Sequence, residues 1–208
     1  MPCKANPGVQ RNFLDDTLLP LIEKAKGGFV ELFFLDASHF VMGGFSSRVW
    51  SVARKWVKTA CGRKRFNILG ALNIVTKKVE TIVNTTYITS TEVIAMLEKL
   101  ARDYAKKPIK IILDNAKYQR CKAVIEAAER LGIELVFLPT YSPNLNLIER
   151  VWKLVKSRVL SGTYHETFEI FCRTIEDCID FLHTELASKM DTLITQKFWI
   201  VNESDIIF

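Results

Sequence analysis

The chain has 208 residues, 49% of them apolar and 25% charged. That suits one ordinary folded domain and excludes collagen, coiled coil and an intrinsically disordered chain. No apolar run approaches the roughly 20 residues of a membrane span, and the polar start MPCKANPGVQRN does not read as a secretory signal. Five cysteines (Cys3, Cys61, Cys121, Cys172, Cys178) are odd in number and form no CxxC pair, which fits reduced thiols and a cytoplasmic location.

The net charge of +6 is unevenly placed. No Asp or Glu occurs from Ala37 to Val79, a stretch carrying nine Lys and Arg, so the rest of the chain nets −3. This +9 block, with Trp50 and Trp56 inside it, has the makings of a polyanion-facing surface; a solvated pair of charged strands would read the same. By contrast, His165–Phe208 holds nine acids against Arg173, Lys189 and Lys197 and is a poor phosphate-facing segment.

In chain order, residues 1–28 read as a lead-in or linker with a short helical pattern (Phe13, Leu14, Leu18, Leu21, Ile22) broken at Gly27-Gly28. Val30–Leu35 is an apolar strand ending at Asp36. Residues 45–52 and 65–76 read as two more strands, and a shorter β segment fits 79–88. A helix opens at Ser90 or Thr91 and is closed by Pro108. Ile109–Leu113 is a buried strand ending at Asp114. Residues 118–131 read as an amphipathic helix stopped by Gly132, and Ile133–Leu138 as a further strand. After the loop Pro139–Pro143, helices are expected over 147–160 and 166–187, before a tail over 191–208. The main domain therefore spans 29–190. A meander followed by alternating helices and strands predicts an α/β fold, a mixed five-stranded sheet with helices on both faces, in the order of the ribonuclease H-like fold.

Carboxylates at the ends of buried strands are costly unless something uses them, and sites in open α/β sheets gather at such ends. Asp36 and Asp114 both fit, and hard cations such as Mg²⁺ and Mn²⁺ favour carboxylate oxygens. Glu149 is the candidate third ligand, 34 residues lying between it and Asp114. A purely structural reading stands beside this: Asn146 and Glu149 have the spacing of a capping box. Glu149, Lys153 and Lys156 share one stripe of their helix, opposite an apolar stripe of Ile148, Val151, Val155 and Val159. Lys153 and Lys156, then Arg54, Lys55, Arg63, Lys64 and Arg65, are the candidate phosphate contacts. Trp152 reads as core; His39 fits a metal-side neighbour or a turn or packing residue, Asn115 a residue ordering the carboxylates or a turn-former, and Tyr118, at the start of a helix beside the site, a cap or packing residue.

The segments FFLDASHF, IKIILDNAKYQ and LPTYSPNLNLIERVWKLVK, in this order, resemble the DDE transposases of the mariner-type superfamily, and most closely the bacterial insertion-sequence branch. The resemblance covers nearly all of residues 8–185. It implies a ribonuclease H-like catalytic core with Asp36, Asp114 and Glu149 as both the catalytic and the metal-binding triad. It also implies two Mg²⁺ or Mn²⁺ ions, DNA transposon ends and target as substrates, and metal-dependent cleavage and strand transfer. A homodimer in a synaptic complex is implied as well. Full-length relatives carry a helix-turn-helix region before the core, and here Met1 stands only 35 residues ahead of Asp36. A separate helix-turn-helix subunit or an upstream reading frame is therefore expected. The alternative is a truncated, non-catalytic relic that binds DNA or a partner as a regulator.

Overall fold

The computed structural model describes residues 6–43, 52, 56 and 64–200. The expected strand over 45–52, apart from Val52, and the candidate contacts Arg54, Lys55 and Arg63 lie outside the described residues. Five strands form one mixed sheet: β1 (Glu31–Val41), β2 (Arg65–Asn73), β3 (Val79–Asn84), β4 (Ile109–Leu113) and β5 (Ile133–Phe137), in the order β3-β2-β1-β4-β5. The first three pair antiparallel, while β1, β4 and β5 run parallel.

Side-chain alternation along β1 feeds two separate cores. Leu32, Phe34 and Phe40 point into one, and Phe33 and Leu35 into the other. The second core is closed by α3 (Ser90–Asp103) and α4 (Lys122–Leu131). The first is larger. It takes in α2 (Leu19–Lys26), α5 (Ile148–Val159), α6 (Phe168–Asp180) and α7 (Ala187–Leu193). Helices therefore cover both faces, as expected.

The N-terminal segment is more than a lead. α1 (Pro7–Phe13) begins with Pro7 after an Asn6 cap, whose side chain accepts the Val9 N–H at 3.1 Å. A π-helical turn over Leu14–Leu18 joins it to α2 just where Pro20 removes a backbone donor. Leu18, Leu21, Ile22 and Ala25 are buried in the same core as α5. At the other end, Arg150 donates to the Leu193, Thr195 and Lys197 carbonyls at 3.1, 3.0 and 2.7 Å, strapping the chain after α7 onto the start of α5.

Several element ends differ from expectation. β1 does not stop at Asp36: its parallel pairing with β4 ends at Leu35, but its antiparallel pairing with β2 continues to Val41. β2 stops at Asn73, whose side chain accepts the Val75 and Thr76 N–H groups at 2.9 Å each and turns the chain. The cap of α3 is Thr89, reciprocated by Glu92 in a capping box, rather than Ser90 or Thr91. Residues 118–121 are a turn before α4. The expected helix over 166–187 breaks after Asp180 into a 3-10 turn and resumes as α7, because Leu186 folds back to donate to the Phe181 carbonyl at 2.8 Å.

Candidate active site

Alternation places the first two carboxylates. On β1 and β4, Phe34 and Ile112 face the larger core, so Asp36 and Asp114, two residues on, fall on that same side. They follow Leu35 and Leu113, the last pair of the parallel ladder between the two strands. Beyond that pair β1 and β4 no longer bond to each other, which leaves room between them for side chains.

A glycine places the third. Gly70 on β2 is the register partner of Asp36. A Cβ added there would lie 2.5 Å from Trp152 Cζ2 and 3.0 Å from Ile148 Cδ1. The bare glycine thus lets α5 seat its indole directly on the sheet, next to Asp36, and Glu149 in the first turn of α5 comes with it. Trp152 is core, as expected, and 2% exposed. The capping-box reading of Asn146 and Glu149 is overturned: Leu147 is the N-cap of α5, and no side chain caps the helix. Asn146 instead sends its side-chain amide to the Leu35 carbonyl, 3.4 Å away. Glu149 is thereby free of the structural duty that its spacing suggested.

Electrostatics tie the three together. Burial, then the charges of Glu149 and Asp114, raise the Asp36 pKa to about 8, against the opposing pull of the Ala37 N–H and Lys156. Burial and Glu149 likewise raise Asp114, and a hydrogen bond from Asn146 opposes them. Tyr118 is pushed up to about 12 by burial and then by Asp36 and Asp114. Its hydroxyl therefore belongs to this cluster, a role that its sequence position does not mark. Among the described residues, no three His, Cys, Asp or Glu side chains converge as a formed metal site. The donor set is hard carboxylate oxygen whose ionised forms repel one another, with Lys156 the cation acting on Asp36. It also borders the Asn146 Oδ1, which is buried without a partner. Those properties fit a divalent cation such as Mg²⁺ or Mn²⁺.

The candidate cations divide. Lys156 is half-buried, lies 5.6 Å from the Phe40 ring centroid and acts on Asp36, so it borders the cluster. Lys153 is exposed. Lys64 lies over the Phe168 ring at 5.4 Å, and Arg65 pairs in register with Val41, five residues beyond Asp36 along β1. Lys77 and Lys78, also in the basic block, are taken up in ion pairs with Asp191 and Glu80. His39 bonds Asn67 across the strands at 2.7 Å, and Asn115 bonds the Leu138 carbonyl and accepts from Arg120 at 3.0 Å. Both hold backbone segments together, in keeping with the packing reading. Gly70 is the residue that the sequence did not single out, although an isolated glycine inside an apolar strand was the available signal, and Tyr118 was read only as a cap or packing residue.

Comparison with known proteins adds a family and a fold. The structure resembles the Mos1 transposase paired-end complex with left transposon end, with a TM-score of 0.62 and 15% identity over 90% of this chain and 64% of that one. The Mos1 mariner paired-end complex with Mn gives 0.58 and 15%, over 90% and 64%. The intasome of simian T-cell lymphotropic virus, in complex with a PP2A regulatory subunit, gives 0.52 and 16%, over 74% and 48%. The chain thus spans less than two thirds of the length of these neighbours. At such identities the likeness shows the fold, which is ribonuclease H-like. No curated protein matches the sequence. Residues 31–172 match the DDE superfamily endonuclease family, and since they are more than half of the sequence and contain all three carboxylates, the chain belongs to that family.

Proposed function

We propose that this chain is a transposase catalytic domain that cleaves DNA and transfers strands by phosphoryl transfer, with Asp36, Asp114 and Glu149 as its catalytic and metal-binding carboxylates. What supports this reading is placement: Asp36 and Asp114 follow the last β1–β4 pair, and Glu149 stands in the first turn of the helix seated on Gly70, the register partner of Asp36.

Asp36, Asp114 and Glu149 would hold Mg²⁺ or Mn²⁺, two ions in the full set. The bound cation supplies Lewis-acid polarisation of the scissile phosphate and lowers the pKa of attacking water. The chain's own residues set the geometry. The strands carry two of the carboxylates and the docked helix the third, so that cation binding would have only side chains left to order. Lys156, beside Asp36, would pair with a DNA phosphate, and Lys153, Lys64 and Arg65 would extend that contact outward, joined by Arg54, Lys55 and Arg63 of the basic block. Cleavage puts the oxygen of water on phosphorus and releases the DNA 3′-oxygen; strand transfer repeats the displacement with that 3′-hydroxyl as nucleophile. This reading implies DNA as substrate, a second copy in a synaptic complex, a helix-turn-helix component to read transposon ends, and action in the cytoplasm.

Plasmid nicking and strand transfer in Mg²⁺ or Mn²⁺ test it. Asp114→Asn should lower either activity by at least about a hundredfold while leaving the melting temperature equal or higher. Activity unchanged in that variant sinks the triad. DNA bound but never cut by the wild type, with either metal, would favour the regulator alternative.

A further inference from the structure

Asn146 meets all three carboxylate-bearing elements at once. Its side-chain amide donates to the Leu35 carbonyl at 3.4 Å, one residue before Asp36. Its own carbonyl accepts the Glu149 N–H at 3.2 Å. The same side chain is also a hydrogen-bond partner of the Asp114 carboxylate. Asn146 is 1% exposed, and its Oδ1 finds no partner. A buried acceptor left unpaired is a penalty that an apolar residue of similar size would avoid. Helix capping does not account for the residue, because α5 starts without a side-chain cap.

We infer that Asn146 is a positioning residue: its amide bridges Asp114 to the β1 backbone beside Asp36 while its carbonyl sets the first turn of α5, so that the three carboxylates are held as one group. What the group is for rests on the function proposed above; the bridging does not. An Asn does this where Ser or Asp would not. Its NH₂ carries two donors, enough for a carbonyl and a carboxylate together, whereas Asp would add a fourth negative charge and Ser supplies a single shorter donor.

Two measurements test the inference. The first is a double-mutant cycle in metal-free protein, with Asn146→Ala and Asp114→Ala compared singly and together by urea unfolding. Bridging predicts non-additivity of about tenfold in the folding equilibrium constant, as for a hydrogen bond to a charged group; additive effects overturn it. Should Asn146→Ala not fold, Asn146→Ser carries the same cycle. The second is Mn²⁺ uptake followed by the electron paramagnetic resonance of the free ion. Asn146→Ala should bind Mn²⁺ about 10–100-fold more weakly than wild type, the usual effect of losing a group that orients a ligand, and unaltered affinity overturns the positioning role. If the wild type takes up no Mn²⁺, the metal reading of the site fails, and the cycle alone decides Asn146.

Discussion

Asp36 follows four fully buried apolar residues on β1, and its carboxyl is held at a pKa of about 8, first by burial and then by Glu149 and Asp114. In the unfolded chain the same group titrates near 3.8. The folded state therefore favours the protonated form. The stability this contributes is complete below about pH 4 and is lost as pH rises through about 8. Without metal, the melting temperature should fall across that window. Asp36→Asn, which stays neutral, should melt higher than wild type at pH 8 by an amount on the order of a few kcal/mol in stability, and the two should converge at pH 4. Circular dichroism melts in EDTA check this, and parallel curves would exclude Asp36 as the source. Asp36 and Asp114 were legible in sequence because each follows an apolar strand core. Tyr118 was not, since nothing in LDNAKYQ shows that its ring turns back towards Asp36 and Asp114.

Among elements, the docking of α5 on β2 decides where Glu149 stands. Trp152 and Ile148 occupy the space that any side chain at position 70 would need. Gly70→Ala should cost about 1–3 kcal/mol, the usual cost of overpacking, read as a lower urea midpoint. Nicking activity should fall further than stability accounts for, because the helix must move away from Asp36. Trp152→Phe in the same chain should recover part of both. Loss of stability with full activity per folded molecule would show that the helix does not set the site. Helix and strand identities followed from periodicity, but their ends did not. The break after Asp180 depends on Leu186 turning back to the Phe181 carbonyl, and the α3 cap on Glu92 reaching Thr89. A hydrophobic pattern carries neither event.

For the whole molecule, the distribution of charge matters more than its sum. The acid-free stretch 37–79 takes in the later part of β1, the connection to β2 and all of β2, and Met42 and Lys64, at the two sheet-side ends of that connection, meet through the Met42 N–H, which donates to the Lys64 carbonyl at 3.0 Å. The acidic segment, through α6 and α7, covers the larger core instead. DNA binding should therefore weaken steeply with salt. Neutralising Arg63, Lys64 and Arg65 together should reduce the slope of log K against log salt by about 2–3, since each phosphate that the protein neutralises adds roughly 0.9. An unchanged slope, measured by fluorescence anisotropy on duplex DNA, would mark the block as solvated surface.

Composition and alternation were enough to set the α/β order and the mixed sheet, and with the motif spacing they singled out Asp36, Asp114 and Glu149 as candidates, because these are written in the local pattern of apolar and polar residues. Strand β1 running on past Asp36, the helix α5 seated on Gly70, and Asn146 serving the carboxylates rather than a helix cap were decided only in three dimensions. Each of them depends on which residue lies opposite which across the sheet. Pairing partners far apart in the chain leave no periodic trace in it, and they alone set Gly70 opposite Asp36 and the start of α5 beside it.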